Sequence, residues 1–201
     1  MTVDAPDESA YVRRAGTGRL PGGRRLTWTV ADGRRGRRWR GITTSGDRLL
    51  RATLVEVNDD GTVSKLEVAS PDGLLTLHPE PDASTLHGNV IRADGIEHVA
   101  VPWSPEHILV VGDSPVTAAV AARHLAGRVG VGEGVTVAAV EVGERLVIRR
   151  ATWRVARTGD HRWRLLAADG GPSLVLELDA DGVPTGLDEA GSWPLEVESG
   201  Q

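Results

Sequence analysis

The chain has no cysteine and no phenylalanine, and it has one lysine and one tyrosine among its 201 residues. Without cysteine, a disulfide framework, a thiolate zinc site and a cysteine nucleophile are all excluded. No apolar run approaches the roughly 20 residues that span a bilayer, so we predict no transmembrane segment. The first 23 residues carry acids where an export signal carries bases, and they lack an apolar segment, which favours a cytoplasmic protein.

Positive charge is scarce after residue 40. Residues 1–40 hold ten arginines against four acids, a formal charge of +6, whereas residues 41–201 hold thirteen basic and twenty-four acidic residues, a formal charge of -11. An acidic body repels the phosphate backbone of a nucleic acid, and the basic run "GRRGRRWRG" offers one stacking aromatic, Trp39. We therefore expect no nucleic-acid partner and interpret this run as a hairpin with an arginine-rich outer face.

The remaining sequence predicts an all-β protein. Residues 1–23 show no periodicity and are predicted to be a flexible arm. From Arg24 onward, short runs rich in valine, leucine, threonine and tryptophan alternate with Asp-Gly and Asn-Asp turns, which is typical of antiparallel strands. We expect residues 24–197 to form one β-barrel-like domain, a curved antiparallel sheet or open barrel of about 10–12 strands. The predicted strands are 24–31, 37–44, 49–57, 62–69, 73–78, 84–92, 95–101, 134–142, 145–157, 161–168, 173–179 and 192–197.

One helix is predicted, at about residues 114–126 within "DSPVTAAVAARHLAG". Ser114 is a suitable N-cap, Pro115 occupies the first helical position and Gly127 ends the helix. The following "GRVGVGEGV" has the glycine spacing of a phosphate loop, but such a loop precedes a helix and this one follows it. Ser114 has no nucleophile-elbow context either. We predict no cofactor.

Histidines gather on one predicted hairpin. With Asp94-Gly95 as a two-residue loop, Ile91 pairs with His98 and Asn89 with Ala100, so alternation places His87, Asn89, Ile91, His98 and Ala100 on one face. His78 in the preceding strand could join them. Three imidazoles could hold zinc, but no pair has a known ligand spacing, so no metal site is predicted. Two interpretations stay open: polar groups lining an apolar pocket, or histidines facing solvent on the outer side of the sheet.

Tryptophan is the chief aromatic residue. Trp28, Trp39, Trp153, Trp163 and Trp193 fall in predicted strands, where core packing is expected. Trp103 lies instead in the proline-bracketed loop "VPWSPEH", which also holds His107. We hypothesise that residues 102–113 form a lid over a ligand site.

The segment "VPWSPEHILVVGDSPVTAAVAARHL" and the closing strand and turn "LVLELDADGVPTGL" resemble those of the glycolipid-binding protein family of bacteria and the related open β-barrels of lipoprotein carriers. The resemblance implies a strongly curved antiparallel sheet that wraps around a short helical segment and leaves an apolar concavity. It supplies no catalytic motif.

The expected function is non-catalytic binding of a small apolar or amphipathic molecule, of the lipid or glycolipid class, in that concavity. The expected ligand-binding residues are His87, Asn89, Ile91, His98, Trp103 and His107. The alternative is a small β-barrel enzyme that uses His87, His98 or His78 as acid or base in an apolar pocket. The sequence does not predict an oligomeric state.

Overall fold

A computed structural model describes residues 13–171, 173–187, 193–194 and 196–197, with the side chains of 187 and 193–197 outside the description. The described chain is mostly β-strand with one short helix, as predicted. The strands of the first half are β1 (Arg13–Leu20), β2 (Arg24–Gly33), β3 (Gly36–Ser45), β4 (Arg48–Val57), β5 (Val63–Ser70), β6 (Gly73–Pro79), β7 (Thr85–Arg92), β8 (Gly95–Pro102) and β9 (Ile108–Val111). Helix α1 (Pro115–Leu125) is followed by β10 (Gly134–Val142), β11 (Ile148–Arg157), β12 (Arg162–Ala167), β13 (Ser173–Leu178), β14 (Pro184–Leu187), β15 (Trp193–Pro194) and β16 (Glu196–Val197).

The strands form two sheets. The first is nine-stranded, in the order β16-β1-β2-β3-β4-β5-β6-β7-β8, and the second is a curled half-barrel of seven strands, in the order β15-β14-β13-β12-β11-β10-β9. Without the two-residue strands β15 and β16, the sheets have eight and six strands. Each pair is antiparallel except β9 with β10. Tight turns between neighbouring strands explain the antiparallel order, because a short turn can only reverse the chain.

The first 23 residues are not uniformly an arm. Residues 13–20 form β1, which pairs with β2 along its whole length, from Arg13 opposite Ala31 to Leu20 opposite Arg24. This corrects the expected start of the β-structure at Arg24. Residues 1–12 lie outside the described part of the chain.

Strand β9 corrects the lid hypothesis. Residues 108–111 were assigned to a lid, but all four are buried and pair in parallel with β10. A parallel pair needs a crossover connection, which α1 provides. The unit β9-α1-β10 therefore crosses the interior of the protein. Strand β9 is apolar on both faces because both of its faces are covered.

Helix α1 is itself part of the core. Nine of its eleven residues are buried, and it contacts β3 of the first sheet as well as β9, β13 and β14 of the half-barrel. The approach to β3 requires Gly41, because a Cβ there would lie 3.0 Å from Val116 Cγ2. Ser114 occupies the N-cap position, as predicted, but its hydroxyl makes no cap hydrogen bond. Instead, the Thr117 hydroxyl donates to Ser114 O and accepts from the Val111 amide.

The space between the sheets is occupied by one hydrophobic cluster that includes the buried helix. Trp28, Trp39, Trp153 and Trp163 are between 0% and 3% exposed, which confirms their predicted core positions. The side chain of Trp193 lies outside the described residues. None of the helices in the described part of the chain has the length and apolar character needed to traverse a bilayer.

Candidate functional site

The predicted histidine face exists, with a displaced register. Gly95 pairs with Arg92, so the two-residue loop is Ala93-Asp94 and Asn89 lies opposite His98 rather than Ala100. The displacement is two residues, which leaves the assignment to faces unchanged. The Nδ1–H of His98 donates a hydrogen bond to Asn89 Oδ1, with 2.6 Å between the two atoms.

The other two histidines of this face also meet. His78 pairs with His87 across β6 and β7, and their rings contact edge to face with centroids 5.6 Å apart. The face is on the outer side of the first sheet. His78, His98 and Ile91 are exposed, whereas the opposite face of the same strands is buried in the core through Leu75, Leu77, Leu86, Val90 and Val99. Within the described residues, no cluster of three histidine or acidic side chains suits a metal ion.

Trp103 and His107 form a separate pair. Trp103 is 7% exposed and belongs to the core cluster, and its ring meets that of His107 edge to face at 5.5 Å. Burial lowers the pKa of His107, and the positive charge of Arg150 lowers it further. The structure therefore divides the predicted ligand-binding residues between the outer face of the sheet and a packed corner of the core. Whether any of them binds a ligand stays a prediction.

A cleft of 460 Å³ lies at the C-terminal end of α1, and we call it the Trp163 cleft. It is bounded by the end of the helix and by the β4–β5, β11–β12 and β13–β14 turns. Its lining residues are Asp59, Asp60, Gly61, Ala122, Arg123, His124, Ala126, Arg157, Asp160, His161, Trp163, Leu178, Asp179, Ala180 and Gly182.

The Trp163 cleft has an apolar side and a charged side. Trp163, Leu178 and Ala122 are core residues whose edges reach the cleft. Register places Arg157 opposite Trp163, and the guanidinium lies 5.7 Å from the centre of the indole ring, a cation–π distance. His161 and Asp160 are exposed at the adjoining turn. The cleft thus presents an aromatic surface next to groups of both charge signs.

Among the described residues, two buried polar atoms of the lining side chains have no hydrogen-bond partner, Nε2 of His124 and Nε of Arg157. Burial lowers the pKa of His124, and Arg128 lowers it further, so the neutral imidazole is favoured. Hydrogen bonds from Thr62 to Asp60 lower the pKa of that carboxyl and keep it ionised. The polar groups open to a ligand are the exposed ones of the adjoining turn, such as Asp160 and His161.

Three arginines from three elements fix the β13–β14 turn beside the cleft. Arg14 of β1 forms an ion pair with Asp179, and Arg37 of β3 and Arg123 of α1 both donate to the carbonyl oxygen of Asp181, at 2.5 and 2.6 Å. Asp179 Oδ1 accepts from the backbone amides of Asp181 and Val183. This turn of the half-barrel is therefore held by the first sheet and the helix, and we call this arrangement the arginine clamp.

The residues that line the Trp163 cleft were not among the predicted site residues. Part of the cleft had a signal in the sequence: in a chain of sequential hairpins, alternate turns lie at the same end of a sheet, which groups the turns near residues 160 and 181. The last turn of the predicted helix contributes Arg123 and His124 at that end. Spacing alone could not show this, because the link between the two sheets is a crossover.

The class of protein that this fold defines is a two-sheet β-structure around a buried helix. A crystal structure of a DUF1089 family protein from Pseudomonas aeruginosa is similar to it over 95% of this chain and 96% of that one, with a TM-score of 0.53 and 15% sequence identity. The likeness concerns the fold. No protein-family model and no curated protein sequence matches the chain.

Proposed function

We propose that the protein binds a small amphipathic molecule, of the lipid or glycolipid class, without transforming it, and that the molecule occupies the Trp163 cleft. The observation that carries the proposal is one 460 Å³ cleft in which the edges of apolar core side chains, among them Trp163 and Leu178, lie beside a charged and hydrogen-bonding rim. Ligand sites commonly have volumes of about 300–1,000 Å³ and combine apolar walls with a few polar groups.

The cleft volume limits the part of the ligand that it encloses. At roughly 30 Å³ per water, it holds the equivalent of about fifteen water molecules. This accommodates a polar headgroup and the first carbons of one chain. A sugar ring fits the chemistry best, since its apolar face can lie against the apolar edge of the cleft and its hydroxyls can bond to the exposed polar groups of the rim, such as Asp160 and His161. The sequence resemblance to glycolipid-binding proteins points to the same class.

The exposed histidines do not favour the enzymatic alternative. An acid–base residue acts most effectively in a site that excludes water, and His78 and His98 are exposed on the outer face. We therefore place the ligand in the Trp163 cleft rather than on the hairpin face that the sequence suggested.

Two measurements test the proposal. Native mass spectrometry of the purified protein should show a bound amphipathic molecule that is recovered chemically unchanged. Isothermal titration with octyl glucoside below its micelle concentration should then show binding that Ala126→Trp abolishes, because Ala126 is exposed and lines the cleft.

Ala100→Trp is the matched control. Ala100 is also an exposed alanine, but it lies opposite His87 on the hairpin face. Binding should survive this substitution. Loss of binding in Ala100→Trp with retention in Ala126→Trp would place the ligand on the histidine face and overturn the proposed site. Recovery of a chemically altered ligand would overturn the non-catalytic assignment.

A further inference from the structure

A second cleft lies at the N-terminal end of α1, remote from the Trp163 cleft. Its volume is 370 Å³, and its lining includes the guanidinium groups of Arg24, Arg48, Arg51 and Arg145. We call it the Arg51 cleft. These residues come from the start of β2, the start and middle of β4, and the β10–β11 connection. The clustering is therefore a product of the fold, since the four arginines come from three separate segments of the chain.

The cleft carries an excess of positive charge in a protein whose formal net charge is -5. Three carboxylates share the lining: Asp72, Asp113 and Glu144. Asp113 is committed to Arg24, with 2.6 Å between Oδ2 and Nη1. In the part of the chain that the structure describes, the side chains of Arg48 and Arg145 have no hydrogen bond or ion pair. Two exposed guanidinium groups therefore keep their full hydrogen-bonding capacity.

Arg51 lies deeper than the other arginines of the cleft. Its Nη1 donates to Val111 O at 3.1 Å and is 3.9 Å from Asp113 Oδ1. A guanidinium has five N–H donors, and the described residues supply this one with a single hydrogen-bond acceptor. Burial lowers the pKa of Arg51, and the carboxylates of Asp113 and Glu144 offset only part of this effect, so a further anion near the guanidinium would be favourable.

The backbone around the cleft is shaped to hold these arginines. Gly112 has φ +49°, and a Cβ there would lie 2.8 Å from Arg51 Nη1, so the guanidinium occupies the space of the missing side chain. On the opposite wall, Arg145 and Leu146 both adopt positive φ, 53° and 58°, which is costly for residues with a Cβ. Leu146 is buried and anchors this strained turn. Arg145 is thereby presented at the cleft on a rigid support.

We propose that the Arg51 cleft binds a phosphate group, with Arg48, Arg51 and Arg145 as its donors. Planar guanidinium groups form paired N–H···O bonds to phosphate oxygens, and several of them around one cavity fit a tetrahedral oxyanion better than a flat carboxylate. The site is independent of the Trp163 cleft. The phosphate could belong to a small soluble molecule or to a lipid headgroup.

The test compares two double variants of the full chain. Arg48→Gln/Arg145→Gln removes the two unpaired arginines of the cleft. Arg154→Gln/Arg164→Gln removes the same charge from exposed positions on β11 and β12. Binding of inorganic phosphate is followed by the backbone amide shifts of Gly112 and Gly143, and binding to phosphatidic acid vesicles by co-sedimentation.

The cleft variant should bind at least about tenfold more weakly than the wild type, because it loses two charge-assisted interactions. The control variant should differ by less than about twofold, since only long-range attraction changes. If the protein binds inorganic phosphate, a small soluble phosphate compound is enough to occupy the cleft. If it binds only to the vesicles, the phosphate belongs to a lipid headgroup. Equal weakening in both variants, or no binding in either assay, would overturn the proposal.

Discussion

The contact between Gly41 and Val116 offers a quantitative test of how α1 sits in the fold. Gly41 belongs to β3, and Val116 belongs to the first turn of the helix. The Val116 side chain is 2% exposed. A Cβ at position 41 would lie 3.0 Å from Val116 Cγ2 and 3.5 Å from Leu26 Cδ1. The first distance is too short for two methyl groups, so Gly41→Ala forces the helix or the strand to shift by a few tenths of an ångström.

The expected free energies follow from this geometry. Overpacking of this kind costs about 1–3 kcal/mol, while replacing a strand glycine by alanine returns about 0.4–1 kcal/mol of unfolded-state entropy. Gly41→Ala should therefore lower the free energy of unfolding by about 1 kcal/mol. Val116→Ala deletes two buried methyl groups at about 0.8 kcal/mol each, partly offset by about 0.5 kcal/mol of better helix propensity.

The double variant distinguishes a direct contact from two separate defects. In Gly41→Ala/Val116→Ala, the new methyl group fills the space that the valine has left, so the two losses should not add. We expect a coupling free energy of at least about 1 kcal/mol, well above the 0.3–0.5 kcal/mol seen for roughly independent sites. Urea titration followed by tryptophan fluorescence measures all four proteins. Additive losses would refute the packing of α1 on β3.

Two further outcomes are expected. Asp179→Asn should lower the free energy of unfolding by about 1–3 kcal/mol in the same urea assay, because it removes the charge of a half-buried carboxylate that has three hydrogen-bond donors. The Lys65–Glu67 surface pair gives the comparison, and Lys65→Gln should cost less than about 1 kcal/mol. Equal losses in the two variants would contradict the arginine clamp. Because the folded state lowers the pKa of His124, the unfolded state binds more protons around its ordinary value near 6.5. Stability should thus fall as pH drops through that value, and His124→Gln should reduce this fall; an unchanged pH profile would contradict the burial of His124.

Most of the β-structure was predictable because alternation and turn chemistry are local. Strands β2 to β8 and β10 to β13 begin and end within a few residues of their predicted bounds. Strand β1 was missed for a physical reason: two of the buried positions in "RRAGTGRL" are Gly16 and Gly18, which carry no hydrophobic signal. Strand β9 was missed because "ILVV" is short and buried on both faces, so it has no alternation to detect.

The side of the sheet on which the histidines lie was decidable from sequence by comparing the two faces of the hairpin. Alternation places His78, His87 and His98 on one face, and the opposite face carries Leu75, Leu77, Leu86, Val90 and Val99. The face richer in aliphatic side chains is the one expected in the core, and the structure places it there. By contrast, neither cleft was predictable, because each combines residues from both sheets and from one end of the crossover helix.

The fold explains part of the uneven distribution of charge along the sequence. Arginines of the first forty residues bond to groups much later in the chain: Arg14 to Asp179, Arg24 to Asp113 and Arg37 to the carbonyl oxygen of Asp181. Each bond joins the N-terminal sheet to the half-barrel or to the start of α1. The positive charge of the N-terminal residues is therefore partly neutralised by acidic residues of the later chain. These bonds also join segments that are distant in sequence. At the Arg51 cleft, by contrast, the side chains of Arg48 and Arg145 form no such bond to any described residue while facing one cavity with Arg51, and we assign them to a ligand rather than to the fold.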